Sequence, residues 1–372
     1  MRTILDKGTH IVAQAVKNAK VDVVAAYPIT PQTAIVEALS SMIEKGEMNC
    51  RFLPVEGEHS TMAACAAASA MGARTFTATA SQGLLYMHEV LHMVAGCRFP
   101  VVMANVNRAV FAPWTLWVDH QDSLAQRDTG WIQYYCSSLQ ETYNTLIQAF
   151  RVAENIKLPV MVNLDGFILS HCTMSVDVLD QETVDKFLPP FQPEWKLDPQ
   201  NPTAYASVTP SNEYSQFRAL LAQDEQKAKE VIVRAAEEYK ELTGMWDGDL
   251  LDFYRCEDAE VFVLAMGSMA SELRLSIDML RQEGIKAGVI RLRVYRPFPE
   301  ESISAALPDG STLVVLDRNY DFGMHGGILF NECKASLYDR GGKIKVLNQV
   351  MGIGGVDITY QDMAASIKAL LA

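Results

Sequence analysis

Short apolar runs alternate with longer amphipathic stretches from the N-terminus to about residue 175. Residues 21–26, 75–79, 100–105 and 158–164 are near-continuous apolar segments of strand length, the pattern of strands buried on both faces. Between them, Ser81-Gln82-Gly83 turns the chain into a helix running from Leu84 to about Ala95. Residues 139–156 form a second amphipathic helix that stops before Pro159. Alternation of this kind predicts parallel strands joined by crossover helices. The texture then changes. Pro189, Pro190, Pro193, Pro199 and Pro202 crowd a stretch that can be neither regular helix nor central strand. Residues 212–243 carry Glu, Lys and Arg at i,i+4 spacing and read as a solvated helix or helix pair linking two domains. From Ala259 the alternation resumes, with strands at 261–266, 287–292, 312–316 and 345–348. Helices fall at 270–282, near 327–338 and at 362–371. The expected organisation is an α/β domain over 1–175, a Pro-rich and helical excursion over 176–257, and a smaller α/β domain over 258–372.

Composition narrows the partners. The 372 residues are 49% hydrophobic and 21% charged, ordinary for a water-soluble globular chain with a sizeable core. A net charge of -13 argues against nucleic acid or an anionic membrane surface as a partner. No apolar stretch reaches membrane-spanning length, and Met1-Arg2-Thr3-Ile4-Leu5-Asp6 lacks a signal-peptide core, so a cytoplasmic location is expected. The seven cysteines are odd in number, widely spaced and never in a C-x-x-C pair. Neither a disulfide framework nor a cluster or zinc site within this chain is expected, and no metal is assigned to it.

Two positions carry the first chemical signal. Tyr27-Pro28-Ile29-Thr30-Pro31 follows the first apolar run, and Val55-Glu56-Gly57-Glu58-His59-Ser60 opens a helix of small residues, Thr61-Met62-Ala63-Ala64-Cys65-Ala66-Ala67-Ala68-Ser69-Ala70. Such a helix admits close approach, and an acid at its buried start needs a partner. The plainer explanation is an acid at a helix N-terminus stabilised by the dipole. Arg108 lies just past the run 100–105, beyond the carboxyl end of a strand, where open α/β sheets bind ligands. Its guanidinium suits a carboxylate substrate, although an ion pair with Asp119 or Asp122 explains it equally well. The polar stretch from Asp119 to Trp131 marks a site or a subunit interface. His88-Glu89-Val90-Leu91-His92 has the H-e-x-x-H form of a zinc protease but no evident third ligand. The glycine clusters Gly323-Met324-His325-Gly326-Gly327 and Gly352-Ile353-Gly354-Gly355 match neither phosphate-binding fingerprint and are assigned to turns and close packing.

Taken together, these segments resemble one family. Tyr27-Pro28-Ile29-Thr30-Pro31, Gly57-Glu58-His59-Ser60, Thr77-Ala78-Thr79-Ala80-Ser81-Gln82-Gly83, Met87-His88-Glu89, Asn107-Arg108-Ala109 and Ala125-Gln126-Arg127-Asp128-Thr129-Gly130-Trp131 resemble the alpha chain of 2-oxoacid:ferredoxin oxidoreductases. Leu164-Asp165-Gly166-Phe167-Ile168-Leu169-Ser170-His171 and Ile290-Arg291-Leu292-Arg293-Val294-Tyr295-Arg296-Pro297-Phe298-Pro299 continue the match, which is weakest over 175–257.

The resemblance implies a thiamine diphosphate-binding parallel-sheet domain of the pyrimidine type and a smaller transketolase C-terminal-like domain. It implies CoA-dependent oxidative decarboxylation of a 2-oxoacid, most often pyruvate. Glu58 takes the place of the glutamate that hydrogen-bonds N1′ of the aminopyrimidine, favouring the imino tautomer that deprotonates the thiazolium. Burial among alanines should raise its pKa. Thr30 and Arg108 match the positions holding the 2-oxoacid carboxylate, Ile29 falls at the pocket, and Tyr27, Pro28, Ser81 and Gln82 fall at the coenzyme. A beta subunit would carry the diphosphate half with magnesium. Gamma and ferredoxin-like delta subunits would complete the complex, with [4Fe-4S] clusters in partner chains and ferredoxin or an NAD-linked protein as acceptor. No Gly-Asp-Gly followed by a downstream Asn occurs here, in keeping with that division. Two departures stand out. Phe111 and Trp114 add aromatic bulk after Arg108, either lining a pocket for an acid such as phenylglyoxylate or pointing into the core. Val356 stands where the family often has Arg. The competing class is a non-catalytic structural subunit, which retention of Thr30, Glu58 and Arg108 together disfavours.

Overall fold

Val102–Asn107 and Val160–Asp165 are buried at every position, as strands covered by helices on both faces must be. The computed structural model describes residues 1–372 and arranges fourteen strands in three sheets. In chain order they are β1 Arg2–Lys7, β2 Val23–Ala26, β3 Arg51–Pro54, β4 Thr75–Thr79, β5 Val102–Asn107, β6 Ile132–Tyr135, β7 Val160–Asp165 and β8 Thr173–Val178. They continue as β9 Leu251–Tyr254, β10 Val261–Ala265, β11 Ala287–Leu292, β12 Val294–Arg296, β13 Thr312–Asp317 and β14 Lys345–Val350.

The large sheet has the order β12-β6-β7-β5-β4-β2-β3, parallel except for β12, which pairs antiparallel with β6. Its order reverses between β2 and β4: β3 lies on one side of β2 and all later strands on the other. An open sheet has a crevice at such a switch point, beyond the carboxyl ends of the strands. The second sheet, β14-β13-β10-β11-β9, is parallel except for β9. β1 and β8 form a separate antiparallel pair.

Several sequence expectations need correction. The charged segment 212–243 is one continuous helix, Ser211–Thr243, ended by Gly244 in the left-handed region at φ 76°. It is not simply a solvated connector. Leu221, Ala228, Val231, Ile232, Ala235, Ala236 and Tyr239 are buried along it, and the Tyr239 hydroxyl donates to Asn144 Oδ1 at 2.9 Å on helix Leu139–Ile156. The apolar stripe has helical spacing, but the charged majority masks it. Ser81-Gln82-Gly83 is the first turn of helix Ser81–Tyr86, followed by helix His88–Gly96, and the small-residue helix starts at Glu58. Strands β1, β3, β6, β8, β9 and β12 are short or half-exposed and lack the long apolar runs that mark the others.

The two large sheets are stitched by the basic stretch that ends β11 and leads into β12. Having left the second sheet, the chain joins the first as β12, and its arginines run into helix Leu139–Ile156. Arg291 Nη1 donates to Glu141 Oε1 at 2.6 Å and Arg293 Nε to the same oxygen at 3.2 Å. Arg293 Nη2 reaches Thr145 Oγ1 and Gln148 Oε1, each at 3.0 Å. Ser137 supplies both its amide and its hydroxyl to Glu141 Oε2 at 2.7 and 2.8 Å. Burial opposes ionisation of Glu141, but the two guanidinium charges outweigh it and hold its carboxyl below the usual range. Removing Glu141 leaves buried Arg293 without a carboxylate and Arg291 with Asp252 Oδ2 alone, at 3.3 Å. Glu141→Ala should therefore destabilise the chain by about 3–5 kcal/mol, measured as a lower midpoint in urea unfolding.

Candidate active site

The carboxyl ends of β2, β4 and β5 bring the site together. After β2 the chain runs through Tyr27 to Pro31, and buried Gln32 ties this loop to β4, its Nε2 donating to the Ala78 carbonyl at 2.5 Å. After β4, Ser81 adopts the left-handed region at φ 48°, unusual for a residue with a side chain. It is held there from three directions. Its amide donates to Asp122 Oδ2 at 2.9 Å, and its hydroxyl lies 2.7 Å from the Ala109 carbonyl and 2.5 Å from Gln82 Oε1.

Glu58 is the first residue of helix Glu58–Ala70, following Gly57 in extended conformation. It is 8% exposed, and its own amide is the one donor that lowers its pKa; burial dominates and pushes the carboxyl up. Directly opposite is Gly83. A Cβ there would lie 2.6 Å from Glu58 Oε1 and 2.7 Å from Thr79 Oγ1, so the absence of a side chain lets the carboxyl and the Thr79 hydroxyl pack directly against the main chain. Thr79 Oγ1 and Gln82 Nε2 are buried without hydrogen-bond partners. Two buried polar atoms at and just past the end of β4 thus lack a partner within the chain, close to a carboxyl that only its own amide reaches.

Arg108 follows β5 and is 4% exposed. The ion pair with Asp119 or Asp122 does not form. Instead its Nη1 donates to the Thr30 carbonyl at 3.0 Å and its Nε to the Thr115 carbonyl at 3.2 Å. Burial lowers its pKa and the nearby charge of Asp122 acts against that. The guanidinium is therefore desolvated, oriented by two neutral carbonyls and free of any bonded carboxylate, the state of a cation awaiting an anion. Thr30 itself is exposed beside it, with Ile29 and Tyr27 half-buried and Pro28 exposed.

The polar stretch 119–131 is almost wholly interior. Asp122 is fully buried and accepts from main-chain and side-chain donors around it; His120 Nε2 lies 2.7 Å from Asp165 Oδ1. Asp165 in turn accepts from the amide of Ser268, at 2.9 Å, and from its hydroxyl, and Arg318 Nη1 lies 3.5 Å away. Burial opposes ionisation of Asp165, yet His120 and Arg318 hold its carboxyl well below the carboxylate range. Sequence reasoning assigned no role to Gln32 or Thr79, read Gly83 as part of a turn, and took Asp122 as an alternative ion-pair partner of Arg108 within a polar stretch.

Two readings are removed. Phe111 and Trp114 do not point into the core: they are 60% and 76% exposed on the loop between β5 and helix Gln121–Leu124. That loop is pinned from behind, where Gly355 donates its amide to the Val118 carbonyl at 3.0 Å and has no room for a Cβ against Trp117. The zinc-protease arrangement is also missing. No group of three His, Cys, Asp or Glu side chains could hold a metal ion, and His88 Nδ1 lies 2.6 Å from Gln126 Oε1. The rings of His88 and His92 meet edge to face.

Residues 14–237 match the family described as pyruvate flavodoxin/ferredoxin oxidoreductase, thiamine diphosphate-binding, and residues 259–363 match pyruvate:ferredoxin oxidoreductase core domain II. Fold and matches together define an oxidoreductase chain with a thiamine diphosphate-binding domain. Ketoisovalerate oxidoreductase subunit VorA of Pyrococcus abyssi is 44% identical over 96% of this chain and 91% of its own length. Pyruvate synthase subunit PorA of Methanosarcina barkeri is 45% identical over 99% and 92%. Among solved structures, 2-oxoglutarate:ferredoxin oxidoreductase from Magnetococcus marinus superposes with a TM-score of 0.74 at 17% identity, covering 100% of this chain and 65% of that one. A split-gene transketolase superposes with a TM-score of 0.55 at 16% identity. The chain belongs to the 2-oxoacid:ferredoxin oxidoreductase family, as its alpha subunit. No helix in it is long and apolar enough to cross a membrane.

The close approach of Glu58 to Gly83 makes a specific demand. Gly83→Ala should weaken thiamine diphosphate binding by the assembled enzyme about tenfold, because overpacking of this size costs roughly 1–3 kcal/mol. Titration calorimetry with the coenzyme checks it; wild-type affinity would mean that the Glu58 carboxyl held against Gly83 does not contact the coenzyme.

Proposed function

We propose that this chain supplies the aminopyrimidine side of a thiamine diphosphate site in a complex that oxidatively decarboxylates pyruvate and passes the acetyl group to coenzyme A. The observation carrying this reading is a buried pair with no counter-charge of its own, the Glu58 carboxyl at its helix start and the Arg108 guanidinium bonded only to two carbonyls. The residues suit the coenzyme. Glu58, Thr79 and Gln82 would meet the polar edge of the aminopyrimidine, and Gly83 lets the first two lie close together against the main chain. When bound, the coenzyme supplies the nucleophilic carbon and the electron sink for decarboxylation.

The chain's own residues do the rest. Glu58, whose pKa burial pushes up, would hydrogen-bond the ring nitrogen of the aminopyrimidine. Arg108 binds the 2-oxoacid carboxylate, with the exposed Thr30 beside it, and Ile29 borders the remaining space. The Tyr27–Pro28 segment and the Ser81 turn frame the coenzyme from two strand ends. A beta subunit provides the diphosphate half and magnesium. Gamma and ferredoxin-like delta subunits with [4Fe-4S] clusters receive the electrons, for delivery to ferredoxin. Exposed Phe111, Trp114, Leu116, Trp117 and Ile168 on the site side give such a partner an apolar surface to cover.

A second substrate, the branched acid ketoisovalerate, is favoured by one observation: relatives named for it match this chain as well as those named for pyruvate. Phenylglyoxylate ranks behind both, since Phe111 and Trp114 form no closed aromatic slot within the chain. Side-by-side assays of pyruvate, 2-oxobutyrate, ketoisovalerate, 2-oxoglutarate and phenylglyoxylate should give the highest kcat/KM with pyruvate. A preference for phenylglyoxylate would overturn the assignment.

Glu58→Gln should lower kcat at least ~100-fold, the usual weight of a positioned acid or base. The same change has a stability signature. A raised folded-state pKa means that the native chain binds this proton more tightly than the unfolded one, so Glu58 costs stability as pH rises through that interval and above it. In the coenzyme-free complex, Glu58→Gln should melt higher than wild type at pH 8, with the margin narrowing at pH 4. Wild-type turnover in this variant would assign the chain to a structural role.

A further inference from the structure

Asp122 hydrogen-bonds neither the Glu58 carboxyl nor the Arg108 guanidinium, yet it holds the main chain at Ser81 and at Arg108. Its side chain is fully buried, on the short helix Gln121–Leu124. Oδ2 accepts the Ser81 amide at 2.9 Å, the Arg108 amide at 3.1 Å and Asn105 Nδ2 at 3.4 Å. Oδ1 accepts Asn107 Nδ2 and the Ser123 amide, both at 2.8 Å. Five donors on one carboxylate make it an acceptor-only hub. A single oxygen therefore joins the end of β4, where the backbone holds a left-handed serine, to the end of β5, where the anion clamp begins.

What Asp122 does not do matters equally. Its oxygens are occupied by amides and do not bond the Arg108 side chain, so the guanidinium keeps its charge available and points to the Thr30 and Thr115 carbonyls. A neutral acceptor could not replace it. In an Asn side chain, whichever way it is turned, the NH2 group would face at least two donors that now point at a carboxylate oxygen.

We propose that Asp122 is a positioning residue that couples the two halves of the site, fixing the Ser81 turn against the coenzyme and the Arg108 clamp against the 2-oxoacid through one shared oxygen. This rests on the roles given above to Arg108 and to the Ser81 turn. The coupling has a signature that neither a local contact nor a general loss of stability produces. One substitution, touching neither ligand, weakens binding of both.

The test compares Asp122→Asn, Asn107→Ser and Arg108→Lys in the assembled enzyme, well below the melting temperature. The readouts are the KM for pyruvate, kcat, and the dissociation constant of thiamine diphosphate from calorimetry. Asp122→Asn should raise both the KM and the coenzyme dissociation constant about tenfold, the effect of losing a charge-assisted hydrogen bond. Its kcat at saturation should stay within about threefold of wild type, because no group in contact with the reacting atoms is altered. Asn107→Ser, which withdraws one donor from Oδ1, should raise both constants to a smaller extent and decides the matter if Asp122→Asn does not assemble. Movement of one constant alone, or of neither, in the variant that assembles would overturn the coupling. Arg108→Lys should raise the KM and leave the coenzyme constant unchanged. An unchanged KM in that variant removes the clamp reading itself, a failure separate from that of Asp122.

Discussion

Taking a carboxylate out of water is costly unless donors or a counter-charge replace the hydration shell, and the interior of this chain is organised around that constraint. Glu141 is neutralised by Arg291 and Arg293, Asp165 by His120 and Arg318, and Asp122 by a ring of amides. Asp317 sits at the start of helix Ile328–Ser336, taking the amides of Leu329 and Phe330 at 3.0 and 3.2 Å and Asn348 Nδ2 at 2.8 Å. Burial still outweighs these donors and pushes its pKa up to about 7. Against this background Glu58 is the exception: a buried acid that no other residue of the chain satisfies. Its counterpart is Arg108, a buried cation bonded to carbonyls alone.

The satisfied acids are also the joints between the sheets. Glu141 lies on a helix of the first sheet, Arg291 on β11 of the second and Arg293 on the link between β11 and β12. Asp165 ends β7 and accepts the amide and hydroxyl of Ser268, at the start of the helix after β10. Near the site, the loop through Gly355 backs the segment carrying Phe111, Trp114 and Trp117, so the C-terminal sheet helps shape the surface beside Arg108. The smaller sheet thus acts as a brace for the larger one, through ionic contacts that leave little freedom between them. This gives a physical reason for a basic, aromatic run such as Arg291-Leu292-Arg293-Val294-Tyr295-Arg296 between two strands.

The site side remains incomplete in a single chain. Phe111, Trp114, Trp117 and Tyr86 are more than half exposed there, beside polar groups that lack partners. An apolar rim around an unsatisfied polar centre is what a half-site shows when a second surface closes it. That accords with relatives that carry the name of subunits.

Much of this was legible in the residues alone. Fully buried parallel strands announce themselves as continuous apolar runs, and Glu58, Arg108 and Thr30 were visible because each stands just past such a run or at a helix start. The long helix Ser211–Thr243 was legible as a helix, but its buried stripe was hidden by the surrounding charges, since packing depends on which face meets a neighbour. Short or half-exposed strands such as β3, β6 and β12 carry too little apolar signal to register; pairing with neighbours makes them strands. Sequence by itself determined the α/β class, the family and the chemical types at the strand ends, because those follow from periodicity and from residues local to each motif. Tertiary structure alone decided which charges are neutralised and which are left free. Whether Arg108 meets Asp122 through its side chain or its amide is a matter of direction between distant segments, and direction is set only when the strand ends converge.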